Sequence, residues 1–114
     1  ISMKVMTRSD MFAHKVCALL DRPAFTNRDL FDCWFFMQQQ TAINKQIVEE
    51  RMKKPLADYL QNCIAYLEKM SDKNRLQGLG ELLDEDLKQF VKTKLRLETI
   101  ALFKIYAAMP LLEA

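Results

Sequence analysis

The sequence predicts an all-α fold, a helical bundle of about five helices, and three observations carry that prediction. Only two glycines and three prolines punctuate 114 residues, too few turn signals for a many-stranded β fold. Apolar residues recur at helical spacing in successive segments. Finally, the run Leu30-Phe31-Asp32-Cys33-Trp34-Phe35-Phe36-Met37 is apolar at every position but Asp32. A helix with no face for water belongs at the centre of a fold. With half of its residues hydrophobic, the chain is long enough for one helical domain, residues 1–114, around one core.

In chain order, residues 1–6 alternate Ile1, Met3 and Val5 against Ser2, Lys4 and Met6, the pattern of one short N-terminal strand with no partner strand in this chain. Ser9 or Asp10 is then the expected cap of a first helix running to about Leu20, with Phe12, Val16, Leu19 and Leu20 as its apolar stripe. Met11, Lys15, Ala18 and Arg22 lie on an adjacent stripe, so Lys15 and Arg22 face the same way if the helix persists. Pro23 ends it. Asn27 is the expected N-cap of the central helix, whose end is marked by Gln38-Gln39-Gln40-Thr41. Asn44 suits the cap of a short third helix to about Lys53, using Ile47, Val48 and Met52. Pro55 suits the first turn of a fourth, with the stripe Leu56, Leu60, Cys63, Ile64, Leu67 and Met70. Leu76, Leu79, Leu82 and Leu83 make a docking turn around Gly78 and Gly80. One long last helix then runs from Asp84 or Asp86 to near Ala108, with contacts from Leu87, Phe90, Val91, Leu95, Ala101, Leu102 and Ile105.

Composition narrows the function classes. A net charge of +2 is too small to argue for nucleic acid by itself. Cys17, Cys33 and Cys63 form no C-x-x-C and fall in apolar helical patterns, which predicts buried free thiols in a reducing compartment. No apolar run approaches the ~20 residues that span a bilayer, and the first residues lack a signal-peptide core. The reading is a soluble cytoplasmic domain with no membrane partner.

The central helix also carries the charges of interest. Asp29 and Asp32 stand i, i+3 on one face, where their carboxylates are neighbours. Asp29 gains from the positive end of the helix dipole. Asp32, set in the apolar run, needs a cation or polar pocket beside it, since an unpaired buried carboxylate is costly. A structural ion pair with Arg28 or a neighbouring helix would satisfy it.

At these residues the chain resembles a known family. Arg28-Asp29-Leu30-Phe31-Asp32 is similar to the R-D-x-x-D motif of the AbiEii/AbiGii-type nucleotidyltransferase toxins, the toxin half of type IV toxin–antitoxin systems of phage defence by abortive infection. Upstream, His14-Lys15-Val16-Cys17-Ala18-Leu19-Leu20-Asp21-Arg22 resembles that family's K-x-x-A-L…R helix, at a similar distance before the aspartates. The segment from Leu76 to Leu83 and the charged helix after it are also similar to family C-terminal halves. Family members begin with a nucleotidyltransferase core whose G-S turn and following D-x-D supply the metal ligands. This chain contains no Gly-Ser, so the resemblance is to the C-terminal half of such a protein, with the N-terminal nucleotidyltransferase domain missing and the strand at residues 1–6 left from it.

The resemblance implies transfer of nucleotides from a nucleoside triphosphate with Mg²⁺ in the intact protein, with RNA as the acceptor. No metal ligand and no bound cofactor is expected in this fragment, which should be inactive alone. By the same resemblance Lys15 meets phosphate, Arg22 and Arg28 support it on the substrate side, and Asp29 or Asp32 orients or deprotonates the acceptor. Asp29 is favoured because it is nearer the helix mouth. Phosphoryl transfer is mostly positioning and charge stabilisation, so these residue types suit it. An antitoxin would act without direct contact. The alternative is a non-enzymatic helical interaction or adaptor module, in which Lys15, Arg28, Asp29 and Asp32 merely neutralise one another.

Two patterns are set aside. Asp84-Glu85-Asp86 copies D-x-D but sits at a helix start, where capping and the dipole explain it. Arg8 and His14 match the R-x5-H spacing of a class of helical ribonucleases, but Arg8 is expected before the first helix, with His14 pairing to Asp10.

Overall fold

The computed structural model describes residues 7–21, 26–71, 73, 75–76, 78–79 and 83–108. Among them are six helices and no strand: α1 (Arg8–Asp21), α2 (Asn27–Gln38), α3 (Lys45–Met52), α4 (Leu56–Glu68), α5 (Glu85–Thr93) and α6 (Leu95–Ala108). The all-helical bundle is as expected. The strand expected at residues 1–6, and Gly80 and Leu82 of the docking turn, lie outside the described residues.

The helix starts differ from expectation by local hydroxyl chemistry. Thr7 Oγ1 accepts from Asp10 N–H at 3.2 Å, so α1 opens before Ser9 and takes Arg8 into its first turn. Thr26, not Asn27, caps α2: its extended backbone sets the side chain to accept from Asp29 N–H. Asn44 caps α3 as expected, accepting from Ile47 N–H at 3.3 Å. Pro55 stands at the cap position of α4, one residue ahead of the first turn.

The expected single last helix is broken at Lys94, giving six helices rather than five. Thr93 Oγ1 donates back to Gln89 C=O at 2.8 Å, a bond that bends helices, and Lys94 leaves helical geometry at φ −128° and ψ −19°. Thr99, Ile100, Phe103 and Tyr106 of α6 are buried, while Ala101 and Ile105, expected as contacts, are exposed.

The core gathers Phe12, Val16, Leu30, Met37, Leu60, Leu67, Val91, Leu95 and Phe103. Polar anchors tie the helices across it. Tyr59 O–H reaches the Val16 and Cys17 carbonyls at 2.8 and 3.0 Å. Tyr106 O–H donates to Thr41 C=O at 2.7 Å. The central helix is not dry on every side, since Phe35 is 42% exposed. No helix among the described residues is long and apolar enough to cross a membrane.

Candidate functional site

Helices α1 and α2 run antiparallel, their partners pairing in opposite order along the two sequences. Arg8 donates to Gln39 Oε1 at 2.8 Å, Phe12 stacks on Phe36 with centroids 5.6 Å apart, and Lys15 meets Asp32 at 2.9 Å. Lys15 and the aspartates therefore share one ridge.

Lys15 Nζ lies 2.9 Å from Asp32 Oδ2 and 3.4 Å from Asp29 Oδ1. Burial pulls the ammonium pKa down, but the hydrogen bond and charge of Asp32, joined by those of Asp29, outweigh it and leave Lys15 above its ordinary value. Lys15 is a held cation.

Their surroundings separate the two carboxylates. Asp29 is 2% exposed. Thr26 O–H donates to its Oδ2 at 2.7 Å, while Thr26 Oγ1 accepts from Asp29 N–H at 3.2 Å. The Thr-x-x-Asp pair is reciprocal like a capping box, but Asp29 accepts from the Thr26 hydroxyl, where a capping box uses the backbone N–H of the cap residue. Asp32 keeps 27% of its side chain in solvent. The expectation that Asp32 would be buried and Asp29 at the open mouth is thus reversed, because the cap folds Asp29 back under the helix start.

Arg28 is exposed and pairs with none of the described residues. It is not the structural partner of Asp32. Arg22 lies outside the described residues. A residue that sequence reasoning passed over, Arg75, is buried beside the α2 start, where Nη1 donates to Asn27 Oδ1 at 2.9 Å and Nη2 to Ser71 C=O. Asn27, released from capping, becomes an anchor for that guanidinium. The Thr-x-x-Asp spacing was a readable signal for Thr26; nothing local marks Arg75.

The set-aside patterns resolve by geometry. Asp84 caps α5, accepting from Leu87 N–H at 2.9 Å. Glu85 Oε1 lies 3.5 Å from Lys88 Nζ. Arg8 lies within α1 after all, but it turns to Gln39 and Thr41. His14 Nδ1 meets Arg51 Nη1 at 3.2 Å rather than Asp10, which instead accepts from Asn44 at 2.8 Å. The ribonuclease-like pair is split between two faces. Cys17, Cys33 and Cys63 are buried free thiols; burial raises Cys17 to about 11, Cys63 to about 12 and Cys33 well above its ordinary value. None is a nucleophile at neutral pH. Among the described residues no group of three or more His, Cys, Asp or Glu side chains is arranged to hold a metal ion.

The chain matches, over residues 1–109, the family model described as nucleotidyl transferase AbiEii toxin, type IV toxin–antitoxin system, and it belongs to that family. No curated protein and no solved structure gave a match.

Proposed function

We propose, with that membership as the premise, that this chain is the C-terminal helical domain of a larger cytoplasmic nucleotidyltransferase toxin. The intact protein would transfer nucleotides from a nucleoside triphosphate to an RNA acceptor. The observation that carries the reading is the ridge where Lys15, held between Asp29 and Asp32, stays one-third exposed. A charged, positioned ammonium is what a triphosphate requires, and a neighbouring carboxylate can orient an attacking hydroxyl. Asp32, the carboxylate that water reaches, is the better candidate for the acceptor side. Asp29 holds Lys15 and the helix start in place. Arg28 offers a second, unengaged cation one turn away.

Mg²⁺ would be held by an N-terminal nucleotidyltransferase domain outside this chain. The antitoxin of such a system would act without touching these helices. The 114-residue chain alone is therefore expected to label no acceptor when incubated with Mg²⁺, a labelled nucleoside triphosphate and bulk RNA, whereas the intact protein labels RNA. Efficient labelling by the isolated chain would overturn the division of labour proposed here.

The second reading, an adaptor in which the charges only bind helices together, is favoured by the burial of Asp29. It predicts that every substitution in the cluster acts on stability and none on turnover.

A further inference from the structure

The ridge holds more than charge. Phe35 stands one turn beyond Asp32 on α2 and is 42% exposed, and Met11 stands one turn before Lys15 on α1 and is 39% exposed. Because α1 and α2 run antiparallel, both lie on the same side of the Lys15–Asp32 pair. A lone surface apolar residue is ordinary. Two flanking one ion pair, with the unengaged Arg28 on its other side, make a patch of aromatic, thioether, ammonium, carboxylate and guanidinium groups.

The Phe35 ring is also braced from behind. It meets Phe36 edge-on at 6.2 Å, and Phe36 in turn stacks on Phe12 at 5.6 Å with 27° between planes. The Arg8 guanidinium covers Phe36 at 5.9 Å from its centroid. A ring held by a packed aromatic on one edge, with 42% of the residue in water, offers a surface for stacking.

We infer that Phe35, aided by Met11, stacks the terminal base of a single-stranded RNA acceptor whose attacking hydroxyl is set at Asp32. This rests on the reading of Lys15 and Asp32 above. Positions three apart on a helix are about 5–6 Å apart, the scale of the separation between a ribose hydroxyl and its own base. Arg28 supplies the cation for the preceding phosphate, which gives the strand its charge complement. Stacking on a phenyl face tolerates any base, so the platform selects a single-stranded end and not a sequence.

The test uses the intact protein and an oligoribonucleotide ending in 2-aminopurine with a free 3′ hydroxyl, whose fluorescence falls on stacking. A parallel arm uses 2-aminopurine riboside triphosphate as the donor. The expected result is quenching of the oligonucleotide and little of the triphosphate. Phe35→Leu should weaken oligonucleotide affinity roughly tenfold or more, the scale of one base–aromatic stack, while Phe35→Trp retains affinity and quenching. An oligonucleotide with an abasic terminal ribose should bind as weakly to wild type as to Phe35→Leu. Failure of the wild type to bind the oligonucleotide, binding without quenching, or Phe35-dependent quenching of the triphosphate would each overturn the inference. Loss of turnover in Asp32→Asn without Phe35-dependent quenching would remove the platform alone and leave the reading of the ion-pair site standing.

Discussion

Asp29 and Asp32 lie one helical turn apart and touch the same ammonium, yet the side chain of Asp29 is 3% exposed and that of Asp32 27%. One carboxylate belongs to the architecture of α2 and the other faces the solvent.

From this asymmetry, substitutions of the two should separate on stability. Asp29→Asn loses the charge-assisted bonds from Thr26 and Lys15 in a buried setting, worth about 1.5–3 kcal/mol. Asp32→Asn removes a part-exposed ion pair that contributes only ~0–1 kcal/mol. Urea denaturation of both variants checks this. Equal losses would show that Asp32 is as structural as Asp29.

Thr26 should matter by two routes, as the cap of α2 and as the donor to Asp29. Thr26→Val should cost about 1–2 kcal/mol, the upper range for a lost cap, while Thr26→Ser keeps the hydroxyl and most of the stability. The same denaturation series reads it, and equal behaviour of Val and Ser would remove the capping argument.

Stability should fall in alkali. Burial raises Cys17 to about 11 and Cys63 to about 12 from an ordinary value of 9.0, raises Tyr106 to about 12, and lifts Tyr59 as well. Lys15 is raised net by its aspartates against burial. In each case the folded chain holds its proton more tightly than the unfolded one. The contribution is fully present below the unfolded values and is lost as pH rises through the folded ones. Denaturation midpoints under reducing conditions should therefore decline steadily above about pH 9. A flat or rising profile to pH 10.5 would contradict the burial of these groups.

Much of this was legible along the chain. The apolar run at residues 30–37 placed α2 at the centre, and the i, i+3 aspartates with the nearby Lys15 anticipated the shared cation. What was not legible came from competition at single positions and from distance. Thr26 and Asn27 are both good caps, and only the reciprocal bond to Asp29 decides between them. Periodicity read residues 84–108 as one helix; the chain leaves helical geometry at Lys94, and Ile105 lies exposed. Arg75 reaches Asn27 across 48 residues, a contact that no local spacing announces. Phe35 counted as core in an apolar run, but it stands 42% exposed.

The most direct test of the ridge as a functional site is turnover and thermal unfolding measured on the same variants of the intact protein, Lys15→Ala and Asp32→Asn. Each should lower nucleotide transfer by roughly 10²-fold, the scale of losing one charge-stabilising or acid–base group. Asp32→Asn should melt within a few degrees of wild type, since a part-exposed pair contributes little. Variants that melt much earlier yet turn over at the wild-type rate below that melt would contradict the account and make the cluster a brace between helices.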